Sequence, residues 1–308
     1  MTGVFGVVGC FMLMVVYGVL VGAGMVSSSY IVIWGSMEMG MILSLIYFLG
    51  SSVRVGPIFY YFIVQSMGSM MMLVGVITDV PLLTVFSILV KLGLMPVFTW
   101  VISVVWTMEL GASIYLVLFL QKLVPLLLIS RWAWVTGISG AGLVFWCSIS
   151  VVLGSISMAY GQSFKWVLVT SSLVHTGWMV ILLLMTSEVF VYYFCVYGGL
   201  LGIVLLFGAL DVGTGVMSAL SVFSSIPPLV GFLIKFFNLG LMGSNYILVV
   251  VAGVAFVVFS VVGYFINCMK AGMGVISSSF VEKSVSASAV FWVLGVVGVL
   301  FCSLFWLI

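Results

Sequence analysis

Charge is what this chain has least of: eight basic and six acidic side chains, 5% of 308 residues. A soluble domain carries about 25% charge, so too little polar surface exists here to face water. Hydrophobic residues make up 65% of the chain and the mean hydropathy is +1.51, so the solvent must be lipid. The chain reads as a polytopic integral membrane protein. Its formal net charge of +2 is too small to argue for nucleic acid or an acidic partner.

Other absences narrow the chemistry. Five cysteines (Cys10, Cys147, Cys195, Cys268 and Cys302) are odd in number, far apart, and form no C-x-x-C. Neither zinc nor an iron–sulfur cluster is supported, and they read as small apolar packing residues. His175 is the only histidine, which excludes a haem held between histidine pairs of this chain. No G-x-x-x-x-G-K-[ST] phosphate loop is present, which argues against transport driven by ATP. The start, MTGVFGVVGCFMLMVVYGVL, lacks a basic n-region, and no Arg- and Ser-rich amphipathic presequence appears. We therefore expect insertion from inside the compartment that makes the protein.

What is present is apolar runs of membrane-spanning length. A window of about 20 residues predicts eleven spans: 3–24, 29–49, 57–77, 81–106, 112–130, 138–157, 165–185, 188–210, 222–241, 246–269 and 288–308. Eleven crossings put the termini on opposite sides. Arg54, Lys165, Lys270 and Lys283 then share the N-terminal side, with Arg131 alone opposite, so the N-terminal side is expected to face cytoplasm or matrix.

Two of these spans are interrupted. KLGLMPVFTW places Gly93 and Pro96 just beyond Lys91, and SSIPPLVGFLIKFF places Pro227, Pro228 and Gly231 before Lys235. Proline removes a backbone donor and clashes with the preceding turn, so each span should break there. A lysine beside a break occurs twice, five spans apart, and an odd offset reverses the direction of crossing. That is the pattern of an inverted repeat with its site near the membrane midplane. Two proline kinks can also coincide by chance.

Four ionisable residues lie deep in these spans: Glu38, Lys91, Lys122 and Lys235. A charge at the bilayer centre costs roughly 2.5–3.5 kcal/mol on insertion scales, and such residues are usually paired and functional. Glu38, in WGSMEMGMIL, is the only acidic residue inside a span and so the natural partner for Lys91. If their separation or hydration changes, each biases the protonation of the other. Lys122, in FLQKLVPLLL, lies near Gln121 and Pro125. Buried lysines can instead be structural, by snorkelling or by fixing helix register. His175, beside Ser171, Ser172 and Thr176, suits a proton relay or a neutral bond between helices equally well. Asp79, Glu109, Glu188 and Asp211 read as solvated caps at loop ends. Trp34, Trp100, Trp132, Trp134, Trp292 and Trp306 read as interfacial belts or lipid-facing packing.

WGSMEMGMILS, YYFIVQSMGSMMML, KLGLMPVFTW, LFLQKLVPLLL, SSLVHTGWM and SSIPPLVGFLIKFF occur in this order between about 30 and 240. Together they resemble the subunit 2 family of mitochondrial NADH:ubiquinone oxidoreductase, respiratory complex I. The chain departs from that pattern at Tyr60, Phe98 and Ile102-Ser103, and in the 157–166 loop, where Gln162 and Lys165 remain.

The resemblance implies an antiporter-like, proton-translocating subunit whose path residues map onto Glu38, Lys91, Lys122 and Lys235. It implies eleven helices: inverted five-helix units at about 3–130 and 138–269 and a final helix at 288–308. It also implies a multi-pass protein of the mitochondrial inner membrane, N-terminus in the matrix, with other complex I membrane-arm subunits, lipid and protons as partners. No cofactor is expected on this chain; FMN, iron–sulfur clusters and ubiquinone belong elsewhere in the complex. A stand-alone sodium/proton antiporter or other secondary transporter, and a purely structural anchor, are the competing readings.

Overall fold

A computed structural model describes residues 15–24, 26–27, 29–50, 55–108, 110–132, 140–160, 163–185, 187–209, 220, 222, 235, 240, 253 and 257–266. The described residues are helical and contain no strand, as lipid requires of a chain that must satisfy every backbone group internally. Six helical stretches are long and apolar enough to cross a membrane: Tyr30–Gly50, Val55–Ile77, Ala112–Ser130, Gly142–Tyr160, Phe164–Leu184 and Val189–Gly208. The protein is therefore an all-α, multi-pass membrane protein. The chain divides into two compact units, 1–147 and 148–308.

The first unit contains α1 (Val15–Gly24), α2 (Tyr30–Gly50), α3 (Val55–Ile77), α4 (Pro81–Leu92) and α5 (Thr99–Thr107). A composite helix follows, made of α6 (Ala112–Tyr115), a π-helical turn at Leu116–Leu120, and α7 (Gln121–Trp132). Small residues bring α3 and α4 together, as expected where lipid supplies no hydrophobic drive between helices. A Cβ on Gly75 would lie 2.9 Å from the backbone nitrogen of Thr84. One on Gly68 would lie 3.3 Å from Cγ of Lys91.

The span expected at 81–106 is broken. Pro81 opens α4 where a missing N–H does no harm. Gly93 closes it with φ +66°, and Leu94 N–H returns to the Leu89 carbonyl at 2.9 Å, a Schellman closure. Residues 93–98 form turns before α5 begins at Thr99.

The span expected at 112–130 is present as Ala112–Ser130, although it is not a regular α-helix throughout. Its π-helical turn inserts an extra residue into the helical ladder, and Pro125 lies inside the helix that follows. Tyr17 on α1 donates its hydroxyl to the carbonyl of Leu120 at the end of the π turn, at 2.5 Å.

The second unit contains α9 (Phe164–Met185), α10 (Ser187–Ala209) and α11 (Val257–Ile266); α8 (Gly140–Tyr160) runs across the boundary. Nearly all of α9 is buried, and a helix apolar on all sides belongs inside a protein. Gly154 on α8 leaves room for the side chains of Leu173 and Val174 of α9, and a Cβ on Gly263 of α11 would lie 3.0 Å from the backbone of Met158. The hydroxyls of α9 turn back on their own helix: Thr170 to Trp166, Ser171 to Leu168, Ser172 to Val169 and Thr176 to Ser172. They fill hydrogen-bonding capacity without needing water. The break expected at 227–231 and the final helix at 288–308 lie outside the described residues.

Candidate functional site

The break after α4 positions Lys91. As the penultimate residue of that helix it stands at the negative end of the helix dipole, which suits a basic side chain. Its stem passes over Gly68 of α3, the one kind of residue that leaves it room. Its Nζ meets Oε1 of Glu38 on α2 at 3.0 Å, so the partner expected from the sequence is in place. The two ends differ in environment: the Lys91 side chain is 3% exposed and that of Glu38 19%. Glu38 sits at the edge of the unit while Lys91 is inside it.

Around this pair lies a polar cluster. Tyr61 on α3 donates its hydroxyl to Oε1 of Gln121, and Ser44 Oγ stands 3.4 Å from the same hydroxyl. Gln121 is the first residue of α7, straight after the π turn, and Lys122 follows it, buried. Lys91, Tyr61, Gln65, Gln121 and Tyr17 line a cavity of about 20 Å³.

Trp100 holds the break together. It is 3% exposed, and its indole N–H donates to the carbonyl of Val90 at 3.1 Å, which also accepts the Gly93 N–H in the turn that closes α4. The belt or lipid-facing role read from the sequence is therefore wrong for this residue. A tryptophan nine residues beyond a buried lysine does not reveal from sequence alone that the chain will fold back.

In the second unit His175 is buried midway along α9. Its Nδ1 lies 2.6 Å from the Tyr193 hydroxyl of α10, and its ring stands 4.7 Å from that of Tyr197. Lys235 is buried too. Its Nζ lies 3.4 Å from Oγ of Ser260 and 5.7 Å from the centre of the Tyr264 ring, both on α11. A hydroxyl and an aromatic face thus stand beside this ammonium. The described residues include no cluster of histidine, cysteine and acid that would hold a metal.

No family model matches the chain. NADH-ubiquinone oxidoreductase chain 2 of Mytilus edulis is 32% identical to it over 219 residues, which is 64% of this chain and 66% of that protein. The chain is similar to NADH-ubiquinone oxidoreductase chain 2. The aligned part falls just short of two thirds of the Mytilus edulis protein.

Solved structures share the fold. A chain of respiratory complex I from Thermus thermophilus matches with a TM-score of 0.73 at 15% identity, covering 95% of this chain and 78% of that one. A chain of the membrane-bound sulfane sulfur reductase, an archaeal respiratory membrane complex, matches at 0.73 and 14%, covering 93% and 72%. A chain of the Mrp complex from Dietzia sp. matches at 0.73 and 13%, covering 82% and 58%. At these identities the likeness concerns the fold.

Sequence reasoning named the charged residues and missed the polar side chains between them. Gln65 and Tyr61 fall on α3 among apolar neighbours and carry no signal beyond their polarity. Gly68 resembles any other small residue of a membrane helix until the lysine stem is seen lying against it.

Proposed function

We propose that this chain is a proton-translocating membrane-arm subunit of respiratory complex I, in the mitochondrial inner membrane. The observation that carries the reading is the Glu38–Lys91 ion pair at a helix break, in a chain related to NADH-ubiquinone oxidoreductase chain 2. A buried amine and a partly buried acid 3.0 Å apart have two arrangements of one proton, as ammonium with carboxylate or as amine with carboxylic acid. Whatever separates or wets the pair shifts the balance between them. Electron transfer from NADH to ubiquinone, carried out by other subunits, would supply that change. Glu38 and Lys91 would then load or release the proton, Lys122 would pass it laterally, and Lys235 would hand it to the exit side. His175, beside the Tyr193 hydroxyl, joins this path.

The eleven-helix layout with two inverted five-helix units belongs to the same reading. It is supported by the break between Leu92 and Thr99 and by a second buried lysine beside a predicted break. Neighbouring membrane-arm subunits are the expected partners, since the solved relatives are chains of multi-subunit membrane complexes. The chain itself would bind no redox group, and the FMN, iron–sulfur clusters and ubiquinone would lie in its partners.

Proton translocation per NADH oxidised, measured in vesicles containing the assembled complex, tests the scheme. Lys91→Met and Lys122→Met should each lower that ratio while the complex still assembles. An unaltered ratio in both would remove the proton role.

A further inference from the structure

We propose that the Tyr17 hydroxyl on α1 latches the Leu116–Leu120 turn in its π register and thereby sets where Lys122 stands. Tyr17 is then a positioning residue for the proton path, a role that rests on the function proposed above.

A π turn is rare, and this one has no local cause. LVLFL contains no glycine, no proline and no hydrogen-bonding side chain, so nothing within it favours the wider closure. Pro125 withholds an N–H from the Gln121 carbonyl four residues earlier. That loosens the helix beyond the turn and leaves the turn itself unexplained.

The peptide unit joining Leu120 to Gln121 is held at both ends. Its N–H returns to the Leu116 carbonyl, the bond that makes the turn π-helical. Its carbonyl accepts the Tyr17 hydroxyl at 2.5 Å, from a residue 103 positions away in the chain. The ring behind that hydroxyl is itself seated: Tyr17 is 4% exposed, and a Cβ on Gly40 of α2 would lie 2.9 Å from its Cε2. Two helices thus fix a phenol against one peptide of a third.

That peptide leads straight into Gln121, which accepts from Tyr61, and then into Lys122. An α-helix turns by about 100° per residue. Restoring the regular ladder would absorb one residue and rotate the helix after the turn by about that angle against the helix before it. Tyr61 would part from Gln121, and the Lys122 ammonium would leave the side it now occupies.

The test compares density maps of the assembled complex, and proton translocation per NADH oxidised, for the native chain, Tyr17→Phe and Gly40→Ala. Phenylalanine keeps the ring in its seat and removes only the hydroxyl. The alanine methyl keeps the hydroxyl and pushes the ring that carries it. We expect Tyr17→Phe to show an unbroken α-helical ladder through Leu116–Leu120, Tyr61 parted from Gln121, and a reduced proton-to-NADH ratio. Gly40→Ala should give the same changes. A π turn that persists with Lys122 unmoved in Tyr17→Phe would overturn the latch, as would a native map with the hydroxyl off the Leu120 carbonyl. That native map needs no variant to fold. A changed register with an unaltered ratio, where Lys91→Met lowers the ratio, would overturn the positioning role. An unaltered ratio in Lys91→Met as well would sink the proton function, and the maps alone then decide the latch.

Discussion

Lys91 is held by three residues of different kinds: Glu38 for charge, Gly68 for space and Trp100 for the backbone beneath it. Removing one member of a buried pair leaves an uncompensated charge, a loss of about 3–5 kcal/mol, whereas replacing both partners is often close to neutral. Glu38→Gln should therefore lower the thermal stability of the assembled complex, and Glu38→Gln combined with Lys91→Met should lower it less than the two single effects added. Additive losses would mean that the contact contributes no coupling. Gly68→Val presses on the lysine stem and should displace the ammonium from Glu38 without touching either charge. Its expected signature is a reduced proton-to-NADH ratio in a complex that still assembles, measured as for Lys91→Met. The lysines and the glutamate were legible in the sequence because charge in an apolar span stands out at once. Gly68, Tyr61 and Gln65 were not, because their importance comes from what lies opposite them on another helix.

At the scale of the element, breaks matter more than lengths. Gly93→Ala forces a Cβ onto a residue at φ +66°, a backbone cost of about 1–2 kcal/mol, and drives that atom into the Val101 side chain. Trp100→Phe keeps an aromatic ring but removes one of the two donors on the Val90 carbonyl, the other being Gly93 N–H, at about 0.5–1.5 kcal/mol. Both should reduce the amount of assembled complex on native gels, Gly93→Ala the more strongly. A Gly93→Ala chain that accumulates normally would show that the turn tolerates another backbone path. Proline and glycine announced this break in advance, since each acts on its own backbone. The π turn at Leu116–Leu120 gave no such notice. LVLFL is an ordinary apolar run, and the Tyr17 hydroxyl that meets the Leu120 carbonyl arrives from a distant helix.

For the whole molecule, burial separates helices that composition makes alike. Almost every residue of α9 is buried, while α2 and α3 leave Ile46, Phe59 and Met70 exposed. An apolar photoreactive label dissolved in the bilayer should therefore mark α2 or α3 and spare α9 when peptides are read by mass spectrometry. Labelling along α9 would contradict the packing. Composition alone decided that the chain lives in lipid and is helical, because unsatisfied backbone groups in hydrocarbon permit nothing else for runs of this kind. It also decided which side chains carry charge there. Only the tertiary structure decided that Lys91 reaches Glu38, that Trp100 turns inward, and that Gln65 and Gln121 face one small cavity. Hydropathy is a property of each segment by itself, whereas a polar contact depends on how two helices are rotated against each other. Apolar segments of similar composition leave that rotation open until they pack.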